Sequence, residues 1–192
     1  AEDEVDDGEF VPKFLTAVAF EQDCQAWLDV RLCHFVSPHF VNPVVQQKAM
    51  ALFDQSLLLQ DTAVGLWPAR GKEPAYLLTT LTWLAQTKPN IDYRVTLRLL
   101  DSAGAVISQR DNFPIGPLLP PSTWNAGDRK PGYLALPIPV ESGPGTYQLV
   151  VNLYDPTTLA PLPHQLTDQS VTDAPISVAK ITISDTIALT EK

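Results

Sequence analysis

The residues of this chain best suited to chemistry are two loop tryptophans and a set of loop carboxylates and amides. Trp67 stands in Leu66-Trp67-Pro68, and Trp124 in Ser122-Thr123-Trp124-Asn125. An indole in a loop can stack on the apolar C–H face of a sugar ring. Asp111, Asn112, Asn125 and Asp128 lie along the same long segment, 111–131. They would supply hydrogen-bonding partners for sugar hydroxyls. Trp67, Asp111, Trp124, Asn125 and Asp128 therefore form a candidate carbohydrate site. The competing reading is that each tryptophan folds down as a lid on one end of the domain.

Other chemistry is scarcer. His34, His39 and His164 form neither HxH nor HExxH, so they are expected to be ordinary surface or loop residues. No Gly-x-Ser-x-Gly elbow and no Ser-x-x-Lys occurs. Gly65 and Gly71 lack the spacing and the following Ser or Thr of a phosphate loop. No metal site and no cofactor is expected. Asp54 and Asp61 flank one candidate strand, and Asp111 and Asp128 bound the long loop. A glycosidase needs two carboxylates held roughly 5–9.5 Å apart across a cleft. No compact set marks such a pair, and the chain is expected to be non-catalytic on its own.

Charge narrows the partners. Thirteen Lys and Arg against twenty-two Asp and Glu give a formal charge of -9. A nucleic acid needs a basic surface, so it is not an expected partner. Electrostatic docking on an anionic lipid surface is disfavoured for the same reason. No apolar run of about 18 residues offers a membrane span. The acidic start carries neither a signal-peptide pattern nor an initiator Met, and the chain reads as an excised piece of a longer protein. Cys24 and Cys33 are nine apart. They fit either a disulfide across a hairpin, in an oxidising compartment, or two free buried thiols.

The elements that must position these residues are strands. The chain has 192 residues, 45% of them hydrophobic, with 18 Pro against 9 Gly. That punctuation favours short strands and irregular loops over long helices. Residues 1–9 are an acidic run expected to be a disordered, solvated tail. Two strands are expected within 10–36, over Phe14–Phe20 and Trp27–Val36, joined through Glu21–Cys24. Residues 44–51 suggest a helical turn or two. Leu52–Leu59 is a candidate strand. In Ala75–Gln86, Leu77, Thr79, Leu81 and Trp83 share a face, because strand side chains alternate with period two. Tyr93, Val95, Leu97 and Leu99 alternate against Arg94, Thr96 and Arg98. Asp101–Gly104 is a hairpin turn, and Ala105–Arg110 returns from it.

In Tyr133–Val140, Leu134, Leu136, Ile138 and Val140 are expected to face the core. Pro137 and Pro139 share the other phase and lack N–H groups, which marks an edge strand. Gly143-Pro-Gly-Thr-Tyr147 enters the last clear alternation, with Tyr147, Leu149, Val151 and Leu153 on one face. That entrance has the form of a tyrosine corner, in which the phenol ties back to upstream backbone. A Pro-rich loop over 155–175 and a final strand, Ile176–Ser184, complete the set. The expected fold is an all-β, immunoglobulin-like antiparallel β-sandwich of about seven strands. The expected organisation is a tail over 1–9, an extension with a hairpin over 10–50, the sandwich over 51–185 and a tail over 186–192.

Several landmarks keep a common order and spacing. They are Ala-Leu-Phe-Asp-Gln-Ser-Leu-Leu-Leu (51–59), Leu-Thr-Trp-Leu-Ala (81–85) and Asp-Tyr-Arg-Val-Thr-Leu-Arg-Leu-Leu-Asp-Ser-Ala-Gly (92–104). Gln109-Arg-Asp111, Pro114, Ser122-Thr-Trp-Asn-Ala-Gly-Asp128 and Pro144-Gly-Thr-Tyr-Gln-Leu-Val-Val-Asn-Leu-Tyr-Asp155 follow. Over roughly residues 50–163 this set resembles a β-sandwich module at the carboxyl end of bacterial multi-spanning glycosyltransferases of the dolichyl-phosphate-mannose mannosyltransferase type. Two positions depart from that pattern. Lys130-Pro-Gly132 stands where an acidic residue precedes the next strand, and Leu159-Ala-Pro-Leu-Pro163 replaces a Gly-Arg-Leu-Pro ending. The resemblance implies an extracytoplasmic, non-catalytic accessory domain of a membrane-anchored envelope glycosyltransferase, and it transfers no catalytic residue. A domain with no ligand, serving structure or protein interaction, is the alternative, and a glycan hydrolase is a more distant one.

Overall fold

The computed structural model describes residues 10–28, 30–184 and 186–190. The acidic run over 1–9 lies outside the described residues. One helix, α1 (Phe10–Val18), precedes a hairpin of β1 (Phe20–Trp27) and β2 (Val30–Val36). Then come β3 (Val45–Phe53), β4 (Leu57–Trp67), β5 (Ala75–Ala85), β6 (Arg94–Leu100), β7 (Val106–Asn112) and β8 (Arg129–Ile138). The chain ends with β9 (Gly145–Tyr154), β10 (His164–Leu166), β11 (Val171–Thr172), β12 (Ile176–Ile183) and β13 (Ile187–Thr190). Every pairing is antiparallel.

Two sheets face each other, six strands in the order β11-β10-β3-β4-β5-β8 and five in the order β13-β12-β9-β6-β7. The protein is an all-β sandwich. Leu77, Leu81 and Trp83 of β5 meet Tyr93, Val95, Leu97 and Leu99 in one core with Leu149, Val151 and Leu153 of β9. Leu134, Leu136 and Ile138 of β8 join them. These are the rows that the period-two pattern assigns to the inside. The β8 strand is the edge of its sheet, as its prolines require. Val140, expected in the core, is exposed, because the strand stops at Ile138 and the side chain has no sheet to point from.

The first fifty residues depart most from the pattern. Phe10–Val18 is helical rather than extended, and Glu21–Cys24 lies inside β1 rather than in a connection. The segment read as helical turns, 44–51, is most of β3, since its apolar and polar residues are satisfied by pairing with β4. Leu52–Leu59 is a hairpin end rather than one strand. Asp54 and Gln55 both adopt left-handed backbone, and the Ser56 N–H donates to the Phe53 carbonyl. A mirror-image hairpin turn needs those dihedrals, and Asn-Gly, its usual signature, is absent here. Four strands lie outside the seven expected in 52–184: β3, the short β10 and β11 inside the Pro-rich loop, and β13 in what reads as a tail.

The hairpin β1–β2 sits beside the edge where β7 and β8 meet. Arg110 of β7 pins it. Its Nη2 donates to Glu21 Oε1 at 2.7 Å and its Nη1 to the Gln22 carbonyl at 3.1 Å. Phe20 rests edge-on against the Tyr133 ring, 5.2 Å between centroids. With Val36, Tyr76, Leu78 and Ala135 these rings form a second apolar cluster, separate from the sandwich core. Cys24 and Cys33 are directly opposite in the hairpin, with Cα atoms 4.0 Å apart, and are joined in a disulfide. The free-thiol alternative does not hold.

Candidate functional site

The outer face of the five-stranded sheet is built by the side chains that alternate away from the core. Thr96 of β6 pairs with Asp111 of β7 on one side and with Asn152 of β9 on the other. The three make one row across three strands. The next row sets Arg98 beside Gln109 and Val150, and the row on the other side sets Arg94 beside Tyr154. Directly opposed residues on one sheet face lie about 4.5–5.5 Å apart, so their side chains interact.

A wall rises beside this face. After Tyr154 the Pro-rich segment turns back along β9. Tyr154 bridges Pro161, and the Leu162 N–H donates to the Leu153 carbonyl at 2.9 Å. Leu159 adopts left-handed backbone in that turn. The result is a cleft of about 530 Å³, floored by Thr96, Arg98 and Asn152 and flanked by Asp111, Tyr154 and Asp173.

Its polar groups are partly connected. Arg98 Nε donates to Gln109 Oε1 at 2.8 Å, and Gln109 Nε2 donates to Asp111 Oδ2 at 2.6 Å. Burial raises the Tyr154 phenol above its ordinary pKa, and the neighbouring Asp111 carboxylate raises it further. Asn152 Nδ2 donates to the Asp173 carbonyl at 3.3 Å. Two oxygens are left over. Thr96 Oγ1 and Asn152 Oδ1 are buried and have no hydrogen-bond partner among the described residues. Arg98, Asp111 and Gln109 provide hydrogen-bonding fans, and Tyr154, Leu159 and Pro161 provide apolar surface. That mixture suits a ligand with many hydroxyls and an apolar face.

The candidate residues of the sequence are scattered. Trp67 ends β4 opposite Tyr76, half-buried against the second cluster, with the Arg70 guanidinium 5.0 Å from its ring centroid. Asp128 sits at the opposite end of the same sheet, where its carbonyl accepts from the Ala85 N–H. From Tyr76 to Ala85 an extended strand spans about 30 Å. Asn125 is exposed beside Asp128, its N–H donating to Asp128 Oδ2 at 3.1 Å. That bond, with Lys130 behind it, holds the Asp128 carboxyl below its ordinary pKa. Asp111 alone of the five lines the cleft.

Trp124 is fully buried in the sandwich core, and its Nε1 donates to the Leu119 carbonyl at 2.9 Å. Neither ring face is open to a sugar. The long loop is anchored by Trp124 and Ile115 in the core, and by the Ser122 N–H on Asp92 Oδ1 at 2.9 Å. Gly132 permits its close packing, since a Cβ there would stand 1.7 Å from the Pro114 oxygen. His164, expected at the surface, is buried in β10, its ring 4.9 Å from that of Phe53. His34 faces Asp23, Nδ1 to Oδ1 at 3.1 Å, on the exposed hairpin.

Thr96, Arg98, Asn152, Tyr154 and Asp173 carry the cleft and were absent from the sequence-based site. Their outward phase is visible in the alternation. The turn-back of residues 155–175 over them is not, because no local signal encodes it.

Comparison with known proteins adds little. No protein-family model matches the sequence, and no curated protein matches it. Among solved structures the chain is similar to a β-glucuronidase from glycoside hydrolase family 2, with 10% identity and a TM-score of 0.40. The match covers 67% of this chain and 12% of that one.

Proposed function

We propose that this chain is a non-catalytic accessory domain of a membrane-anchored envelope glycosyltransferase and that it contacts glycan through the outer-face cleft. The observation that carries glycan contact is that cleft, in which hydrogen-bonding side chains from three strands converge beside an apolar wall. The parent enzyme is suggested by the ordered landmarks over 50–163. An extracytoplasmic setting is supported by the Cys24–Cys33 disulfide, since such bonds persist in oxidising compartments. No helix of the described residues is long and apolar enough to cross a membrane, so tethering would come from the parent chain.

The test is a glycan array probed with the folded chain, followed by incubation with every glycan that binds. The proposal expects selective binding with no hydrolysis. Turnover at enzyme-like rates overturns the non-catalytic assignment, and a blank array overturns the glycan contact.

A protein-interaction role has one observation in its favour. Leu28, Val30 and Leu32 of the hairpin are exposed apolar side chains. Capture of a defined envelope protein by the chain, lost on changing Val30 and Leu32 to Ser, would favour it.

A further inference from the structure

The hairpin β1–β2 is a sheet of two strands, and the outer side of β2 is open. Cys24 and Cys33 face each other with Cα atoms 4.0 Å apart. That close spacing belongs to an antiparallel pair that exchanges no hydrogen bonds, so the N–H and C=O groups of each residue point away from the other strand. Cys33 therefore directs its backbone groups to the free side of β2, and the alternation along the strand adds Phe35. Among the described residues β2 pairs with β1 alone, so these groups meet no strand.

An exposed edge templates pairing with another chain, and folds commonly guard it. The other edges here are guarded. β8 carries Pro131 and Pro137, β11 and β13 are two and four residues long, and β7 lies beside the hairpin that its Arg110 holds. β2 runs for seven residues with no proline and no lysine. The irregularity of the hairpin lies in β1, between Glu21 and Asp23, and leaves β2 regular. Its side chains do not oppose an approach either, since Val30 is 64% exposed and Leu32 51%.

The strand suits its own image. Leu32 pairs with Gln25 across the position next to Cys33, so on the outer side it takes the non-bonded position, where opposed side chains come closest. A two-fold axis at Leu32 sets the exposed leucines of two copies against each other. The same axis sets Arg31 opposite Cys33 and Val30 opposite His34, so no like charges are directly opposed. The disulfide holds each β2 extended before they meet. A flexible peptide would have to be ordered on binding, and a preformed edge avoids that cost.

We infer that β2 is a self-association edge, where two copies of this chain pair antiparallel over Val30–His34 about Leu32 and join their hairpins into one four-stranded sheet. So short a seam falls well below the roughly 800 Å² per partner of a standard interface, and the association is weak and reversible.

Sedimentation equilibrium of the full chain, from about 10 μM to about 1 mM, tests it together with amide hydrogen exchange at both ends of that range. The mass average rises towards twice that of one chain, and the Cys33 and Phe35 amides exchange more slowly at the higher concentration. Leu32→Lys, at an exposed position away from both apolar clusters, keeps the parent's circular dichroism and stays monomeric. A parent that remains monomeric throughout overturns the inference. So does a dimer that Leu32→Lys leaves intact, or one in which the Cys33 and Phe35 amides exchange as they do in the monomer. Protection of those amides by an added alternating valine–threonine peptide, but not by chain concentration, overturns self-pairing and gives the edge to a foreign strand.

Discussion

Thr96 on β6 and Asn152 on β9 are opposed across one strand pair, and each keeps a buried oxygen without a partner among the described residues. Natural domains leave few such groups. Here both belong to residues that line the same cleft, with the oxygens themselves closed off beneath its surface. The exposed polar network of the outer face runs from Arg98 through Gln109 to Asp111.

The tyrosine corner is formed as its sequence implies. Tyr147 Oη donates to the Gly143 carbonyl at 2.7 Å. Tyr147→Phe should lower the unfolding free energy by about 1 kcal/mol, the net value of one such bond. Urea unfolding of parent and variant measures it. A change within about 0.3 kcal/mol would mean that the corner contributes only packing.

Gly132 is required by contact rather than by backbone dihedral. A methyl group there meets the Pro114 carbonyl, so the loop that carries Ile115 and Trp124 must lift. Gly132→Ala should cost about 1–3 kcal/mol, as overpacking does. Gly143→Ala, where a Cβ meets nothing within 4 Å, is the control and should stay within about 0.5 kcal/mol.

Trp124 separates the two accounts of the long loop. A fully buried indole should cost about 3–5 kcal/mol when cut to Ala. Trp124→Phe, which keeps most of the packing and loses the bond to Leu119, should remain folded and bind glycan as the parent does. Loss of glycan binding in a well-folded Trp124→Phe variant would return the site to that loop.

Much of the fold was legible because its strands obey one rule. Leu77, Thr79, Leu81 and Trp83 alternate cleanly and are all buried, and Tyr93 to Leu99 do the same. Pro137 announced an edge. The illegible parts have physical reasons. Asp54-Gln55 forms a left-handed turn without glycine or asparagine. Val44 to Ala51 has no alternation, because an irregularity between Lys48 and Ala51 breaks the register against β4. The candidate site failed similarly. Trp124 looked like a loop residue because its neighbours are loop residues, yet its own burial depends on the whole sandwich. Asp111 was found, while Thr96 and Asn152 were not, because a threonine and an asparagine in strands carry no motif.

His164 gives a pH signature. Burial pushes its imidazole pKa below the ordinary 6.5. The unfolded chain then takes up a proton near pH 6.5 that the folded chain does not bind. Stability contributed by neutral His164 is present above about pH 6.5 and falls as the pH drops towards the folded pKa. Unfolding free energy measured at pH 7.5 and 5.5 should decline, and His164→Leu should flatten that decline. Carboxylates such as Asp128 and Asp168, both held below their ordinary pKa, add a further loss only at more acid pH. An equal decline in parent and variant would remove His164 as its source.

The most direct measurement of the central claim is a backbone and side-chain NMR map of the chain with the strongest glycan from the array. The account predicts that the Thr96, Asn152 and Tyr154 signals move together with those of Asp111 and Arg98. Signals that move around Asn125 and Asp128, around Trp67, or nowhere at saturating glycan would contradict it.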